Sequence, residues 1–507
     1  MKKDSFLHNT RFALFAFSLL LLGARLYAAK TIGFGDSEAL YASYALHPAP
    51  AYLDHPGLVG LFARAIGSGT VPTPLAAHFV TAMMATLFPW IVFAAARTMG
   101  ASQDGGFAAA LAVAVTPEIG VGLFAMTPDL LLALAWVFAL GLAARGLTEK
   151  PSSSIAAASF VAAGLLAGVG ATAKVSGLLL LAALVWTYAS RDARSHAKTI
   201  WPWAGLLIGM IAFIPVVLFE ARTGWPMLGH RFIDTQAGSG PSLLNVGKVL
   251  GGQLLYVSPL LAVLAVVAAV DLFRHRKDDV LAGMLFRSAA LPFVILLPLC
   301  LWSRVAEPHW LAPPLLALPL HFARRFESAT EDGSLFRARP RFSAAALWLA
   351  AILTAAAHAW VLVPNFTRML PAALKADPKY DISNELYGWN DALASIRDVV
   401  AEQAGRGDFV VLGPHWVVCA QMHAGLGAQV RVGCATPIRD DFDTWEPRSQ
   451  WQTADKVLFV SDNRFDVDLH TVLPNHVIAR RSRVTVLRDG RIARTFTLTL
   501  LESRAHS

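Results

Sequence analysis

The sequence predicts an α-helical polytopic membrane protein that ends in a soluble α/β domain. Two observations carry this reading. The 507 residues are 55% hydrophobic and only 15% charged, whereas soluble proteins are charged at roughly a quarter of their positions. The apolar excess is also confined to residues 10–363, in blocks long enough to cross a bilayer, and residues 364–507 have an ordinary soluble composition. A disordered chain is excluded, because disorder needs low hydrophobicity.

A spanning helix needs about 20 mostly apolar residues, and about eleven blocks qualify. They are 10–28, 76–97, 107–125, 128–145, 155–173, 175–190, 200–220, 249–271, 288–302, 310–323 and 343–363. The blocks 288–302 and 310–323 are short and rich in proline, a pattern of broken or re-entrant helices. Lys2 and Lys3 precede the first block as in a signal peptide. No small-residue cleavage site then opens a polar chain, so the block reads as a retained helix.

Lys and Arg set the orientation. With the N-terminus inside, the segments 1–11, 97–106, 145–154, 190–199, 272–287 and 323–342 hold most of the basic residues. The outer loops hold only Lys30, Arg64, Lys174, Arg222, Arg231, Lys248 and Arg304. An odd number of spans puts the C-terminal domain outside. The net charge of +8 is therefore a topology signal, and nucleic acid is not the expected partner. The stretch 327–340 is the one linker-like segment and lies on the inner side.

In the soluble part, 408–412, 429–432 and 456–460 are short apolar runs that suit buried strands. Residues 390–404, just before them, form an amphipathic helical pattern. The runs 483–487 and 495–500 flank Asp489-Gly490, a hairpin signal. Cys300 falls in a span. Cys419 and Cys434 both fall in the outer domain, where a bridge and two separate buried thiols are both open readings.

Acidic residues near spans are costly and therefore informative. Asp36, Glu38, Asp54, Glu118, Asp129, Glu220, Asp234 and Glu307 all map to the outer ends of spans or to outer loops. The densest group is in the first outer loop, 29–75. It holds Asp36, Glu38 and Tyr41 after a Gly-x-Gly turn, then Tyr52, Asp54 and His55. A carboxylate here suits a general base toward a hydroxyl or amine acceptor. It equally suits a divalent metal ion with His55 and His230, or plain helix capping by Asp36.

This loop resembles the first periplasmic loop of polytopic glycosyltransferases that use lipid-linked sugars. These are the bacterial relatives of the protein O-mannosyltransferases (glycosyltransferase family 39) and of the lipid A aminoarabinose transferase, with the GT-C architecture. The resemblance is carried by Glu38-Ala39-Leu40-Tyr41 and by Tyr52-Leu53-Asp54-His55-Pro56-Gly57-Leu58. It continues through Thr127-Pro128-Asp129, the segment 163–174 that ends at Lys174, Gly224-Trp225, and Arg304-Val305-Ala306-Glu307-Pro308-His309-Trp310. Three positions depart from the family pattern. The acid expected just before Glu38 is Ser37, with Asp36 one place earlier; His309 stands for an Asn; Gly57 stands for a Pro.

The resemblance implies a bacterial inner-membrane enzyme with its N-terminus cytoplasmic and residues 364–507 as a periplasmic domain. It implies a polyprenyl-phosphate sugar as donor and a lipid, glycan or protein as acceptor, with inversion at the anomeric centre. Asp36 is then the expected base, with Glu38 as fallback. Tyr41, Tyr52, Asp54, His55, Asp129, Lys174, Arg304, Glu307 and His309 are the expected substrate-binding residues. A transporter or flippase of lipid-linked sugars is the alternative, and it would be marked by half-repeats; the sequence shows none.

Overall fold

The computed structural model describes residues 3–303, 307–326, 340–363, 381–465, 467–488 and 490–504. Arg304, Asp489 and most of the 327–340 stretch lie outside them. Among the described residues, seven helices are long and apolar enough to cross a membrane, and nine spans result if each of two bent pairs is one. The seven are Thr10–Thr31, Pro74–Thr98, Pro128–Thr148, Ser154–Ala173, Trp201–Thr223, Val280–Trp302 and Arg341–Leu362.

Four of the expected blocks differ from simple spans. Block 107–125 is Gln103–Val115 followed by Pro117–Phe124, bent by 73°, and block 249–271 is Leu243–Val257 followed by Pro259–His275, bent by 100°. Each bend falls where a proline removes a backbone donor and pushes the preceding residue out of helical geometry. Block 175–190 contains a shorter helix, Leu178–Tyr188, entered through a single 3₁₀ turn. Block 310–323 is a chain of short helices, Pro308–Leu311, Ala312–Leu315 and Ala317–Arg325. In contrast, block 288–302 belongs to an unbroken helix, Val280–Trp302, despite Pro292 and Pro298 inside it. Asp279 starts that helix by accepting from the Leu281 and Ala282 amides, an N-cap.

The chain forms two compact units. One comprises Met1–Arg25, Asp54–Leu58 and Thr81–Ala357. Its core packs Trp136, Leu140, Phe160, Leu184, Met284 and Leu285, all fully buried or nearly so. The helices Ser154–Ala173 and Trp201–Thr223 approach through glycines. A Cβ on Gly164 would lie 2.0 Å from the Gly205 carbonyl oxygen, and one on Gly168 would lie 2.2 Å from that of Gly209. Small residues four apart on both helices permit such backbone contact in a membrane.

The bend at Thr116-Pro117 frees carbonyls inside the apolar layer. Arg25, 1% exposed, donates to the carbonyls of Ile119 at 3.2 Å and Gly120 at 2.8 Å, and to Thr86 Oγ1 at 2.8 Å. Thr354 donates to the Val115 carbonyl at 2.8 Å. Neighbouring side chains thus satisfy the broken helix, as the absence of water there requires.

The other unit comprises Leu26–Leu53, Val59–Val80 and His358–Ser507. It holds a five-stranded sheet in the order β2-β1-β3-β5-β4. The strands are β1 (Phe409–Gly413), β2 (Val432–Cys434), β3 (Lys456–Asp462), β4 (His476–Arg488) and β5 (Arg491–Ser503). β1 pairs in parallel with β2 and β3, whereas β3–β5 and β5–β4 are antiparallel. The hairpin is longer than the sequence pattern suggests. β2 begins at Val432, where the 429–432 run was expected to end, because Gly427 (φ 73°) closes the helix Trp416–Leu426 and a turn precedes the strand. The expected 390–404 helix is Trp389–Gln403. Cys419 and Cys434 form a disulfide, with Cα atoms 5.8 Å apart, and Cys300 is buried and free.

Candidate active site

The residues singled out in the sequence fall into two clusters, one in each unit. In the sheet-bearing unit, Gly33-Phe34-Gly35 leads into the helix Asp36–Ser43. Glu38 closes that helix by accepting from the Gly35 amide at 2.9 Å. Capping therefore falls to Glu38, and Asp36 is left for another partner. Glu38 also meets His78 Nε2 at 3.1 Å, and both side chains are buried.

Asp36 faces a guanidinium from the C-terminal domain. Arg464 reaches Asp36 Oδ2 with Nη1 at 2.7 Å and Oδ1 with Nη2 at 3.4 Å. The two bonds fix the carboxylate plane, as in other fork-shaped Arg pairs. Arg464 is itself held by Asp462, at 2.9 Å through Nε, and Asp462 is paired to the buried Arg494. Asp462 is buried, which disfavours its charge, yet Arg464 and Arg494 hold its carboxyl below the usual carboxylate range. Glu385 completes the group with a hydrogen bond to Asp36. Burial and the Asp36 charge push its carboxyl up to about 7 against the pull of Arg464. Near neutrality Glu385 is therefore partly protonated.

Tyr41, within this helix, and Tyr52, beyond it, are buried. Tyr52 stacks on Tyr44 with centroids 3.6 Å apart, and its hydroxyl donates to the carbonyls of His47 at 2.8 Å and Tyr44 at 3.1 Å. Tyr44 donates to Asp441 at 3.0 Å, and Asp441 also accepts from the Leu53 amide at 3.1 Å. These rings shape the loop that carries Asp36.

In the helical unit, Lys174 meets Asp129 at 2.7 Å, and His309 Nε2 lies 3.9 Å from the other Asp129 oxygen. Asp129 stands in the first turn of Pro128–Thr148, where the helix dipole favours an anion. Lys174 sits at the end of Ser154–Ala173. Arg231 pairs with Asp54 at 3.4 Å and approaches His55 Nε2 at 3.5 Å. Burial, with the charges of Arg231 and Lys174 nearby, keeps the His55 imidazole neutral. His230 Nε2 lies 3.9 Å from Asp54. That gives a metal two donors rather than three, and among the described residues no group of three His, Cys, Asp or Glu side chains suits a metal ion. Glu307 precedes the Pro308–Leu311 turn, and burial raises its carboxyl. Glu220 caps the next helix by accepting from the Met227 amide at 3.0 Å.

Arg464, Glu385 and His78 were not singled out in the sequence. A signal for Arg464 exists: it lies just past the C-terminal end of parallel strand β3, the edge where α/β sheets place ligand-facing groups. Asp36 and Glu38 come together with these residues, whereas Tyr41 and Tyr52 pack against Tyr44 in the same loop. Asp54, His55, Asp129, Lys174, Glu307 and His309 belong to the helical cluster.

Residues 54–219 match the model of the dolichyl-phosphate-mannose-protein mannosyltransferase family. The crystal structure of ArnT from Cupriavidus metallidurans bound to undecaprenyl phosphate superposes with a TM-score of 0.60 at 16% identity, over 96% of this chain and 97% of that one. The oligosaccharyltransferase of Archaeoglobus fulgidus, tethered to an acceptor peptide, superposes with a TM-score of 0.50 at 14% identity, over 88% of this chain and 69% of that one. No curated protein matches by sequence. The chain thus has the GT-C fold and carries in residues 54–219 the pattern of the dolichyl-phosphate-mannose-protein mannosyltransferase family.

Proposed function

We propose that the protein transfers a sugar from a polyprenyl-phosphate donor to a lipid, glycan or protein acceptor on the periplasmic side of a bacterial inner membrane, with Asp36 as base. The observation that carries this reading is the Asp36 carboxylate, oriented by Arg464 at the start of a loop helix. The acceptor O–H or N–H gives its proton to Asp36. The acceptor atom attacks the anomeric carbon from the face opposite the phosphate, the carbon–oxygen bond to phosphate breaks, and the configuration inverts. The leaving polyprenyl phosphate is already a stable anion, so one carboxylate suffices and no acid need protonate it. Lys174 and Arg231 are the cations we assign to the phosphate, because ammonium and guanidinium groups are its natural partners. Arg304 is assigned with them from its sequence position. Asp129 and Asp54 hold two of these cations in place. His55, Glu307 and His309 supply polar contacts to donor or acceptor, and Tyr41 and Tyr52 keep the loop in shape.

The test is transfer from a lipid-linked sugar in proteoliposomes. Asp36→Asn is expected to abolish transfer while leaving donor binding intact, and Glu38→Gln to act through loop stability instead. Full transfer by Asp36→Asn would overturn the assignment of the base. Facilitated movement of the lipid-linked sugar across the bilayer without transfer would overturn the enzyme reading in favour of a flippase.

A further inference from the structure

The hairpin β4–β5 ends beside the exit of the last spanning helix. That span, Arg341–Leu362, belongs to the 23-residue helix Pro340–Leu362. At 1.5 Å per residue it is about 34 Å long, slightly more than the roughly 30 Å hydrocarbon core, so its last turn stands at headgroup level. Two groups from the sheet-bearing unit bind the carbonyl of Val361 in that turn. Arg488 donates through Nη2 at 2.9 Å, and the Tyr387 hydroxyl donates at 2.8 Å. The Arg488 guanidinium also lies over the Tyr387 ring, 4.1 Å from its centroid. Arg488 is the last residue of β4, so the hairpin tip is fixed at the level where the helix leaves the bilayer.

On either side of the Asp489-Gly490 turn, the tip carries apolar and basic side chains. Leu487 and Ile492 pair across the hairpin and are 59% and 53% exposed. Arg491, exposed, follows the turn. Large exposed aliphatic side chains beside arginine suit a lipid interface, with the aliphatics at the acyl boundary and the guanidinium among phosphates. Tyr27 is 58% exposed on the first helix and within electrostatic reach of Tyr387. Tyrosines at this depth form the usual interfacial belt.

We propose that the β4–β5 hairpin tip, through Leu487, Ile492 and Arg491, inserts into the phospholipid headgroup layer of the leaflet where the last span ends. The sheet is then held against the membrane at two points, the Arg488–Val361 bond and the tip. This does not depend on the transfer chemistry.

The test uses the full chain with the buried Cys300 replaced (Cys300→Ala), reconstituted in phosphatidylcholine–phosphatidylglycerol nanodiscs. An environment-sensitive fluorophore is attached in turn to Leu487→Cys, Ile492→Cys and Ile478→Cys. Ile478 lies on the same strand, away from the tip, and is 48% exposed. The expected result is a blue shift and loss of emission at 487 and 492 when headgroup-spin-labelled lipid is added, with no change at 478. Water-like, unquenched emission at 487 and 492 overturns the proposal. So does a blue shift without lipid quenching, which would mean that a protein surface covers the tip. Equal quenching at all three positions overturns it as well.

Discussion

Asp36 is held by groups that an acceptor must leave undisturbed. Arg464 orients it through two bonds. Replacing the guanidinium with an apolar chain (Arg464→Met) frees the carboxylate to rotate, and misplacement on this scale costs about 100-fold. Steady-state transfer should show that loss in kcat with little change in KM for the donor, and Arg464→Lys should recover part of it. Glu385 gives a pH signature. Its carboxyl sits at about 7 in the folded protein against 4.5 ordinarily, so the folded state holds a proton that the unfolded state releases. That contribution to stability is complete below about pH 4.5 and is lost as pH rises through about 7. Thermal unfolding should therefore show a smaller drop in Tm between acidic and mildly alkaline buffer in Glu385→Gln than in the parent protein. The charges of the first loop and of the span ends were legible in the sequence because an ionised group beside a bilayer is costly and rarely idle. Arg464, Glu385 and His78 were not. The first two lie in a segment of ordinary polarity, His78 lies in an apolar helix, and the Arg464–Asp36 pair joins positions 428 residues apart.

At the scale of elements, the contact between Ser154–Ala173 and Trp201–Thr223 leaves no room for side chains. Gly168→Val would drive a methyl group into the Gly209 backbone, and overpacking of this kind costs about 1–3 kcal/mol or forces the helices apart. A lower Tm in detergent, with Gly229→Ala as an indifferent control because a Cβ there meets nothing within 4 Å, is the expected result. The disulfide makes a second prediction. It closes a loop with a sequence separation of 15, for which cross-linking contributes about 3 kcal/mol. Cys434→Ser should lower the denaturant midpoint of the C-terminal domain, and reductant should do the same to the parent but not to the variant. Continuous spans could be read from hydropathy alone. The bends at Thr116-Pro117 and Ser258-Pro259 were hidden inside apolar runs, because hydropathy averages over the prolines that break them. The strand β2 was misplaced because 429–432 was read as a short apolar run, although Arg431 within it spends its side chain on Glu446 and Asp408.

For the whole molecule, the basic residues predict which loops face which compartment. A membrane-impermeant maleimide should label Asp234→Cys in intact spheroplasts and Lys277→Cys only after permeabilisation, in a Cys300→Ala background. The reverse pattern would invert the topology. The division into a helical part and an α/β part was legible from composition. That Leu26–Leu53 and Val59–Val80 group with the C-terminal sheet was not, since chain order separates them by hundreds of residues and only the folded chain joins them. Arg25 carries a consequence for how the protein is made. Its partners Ile119 and Gly120 lie up to 95 residues downstream, so the first helix leaves the ribosome before they exist. At about 5–20 residues per second, that interval lasts about 5–20 s. Through it the helix carries a charge worth about 2.5–3.5 kcal/mol against insertion. The nascent first helix therefore carries this guanidinium without its final carbonyl partners until the chain around Pro117 is translated.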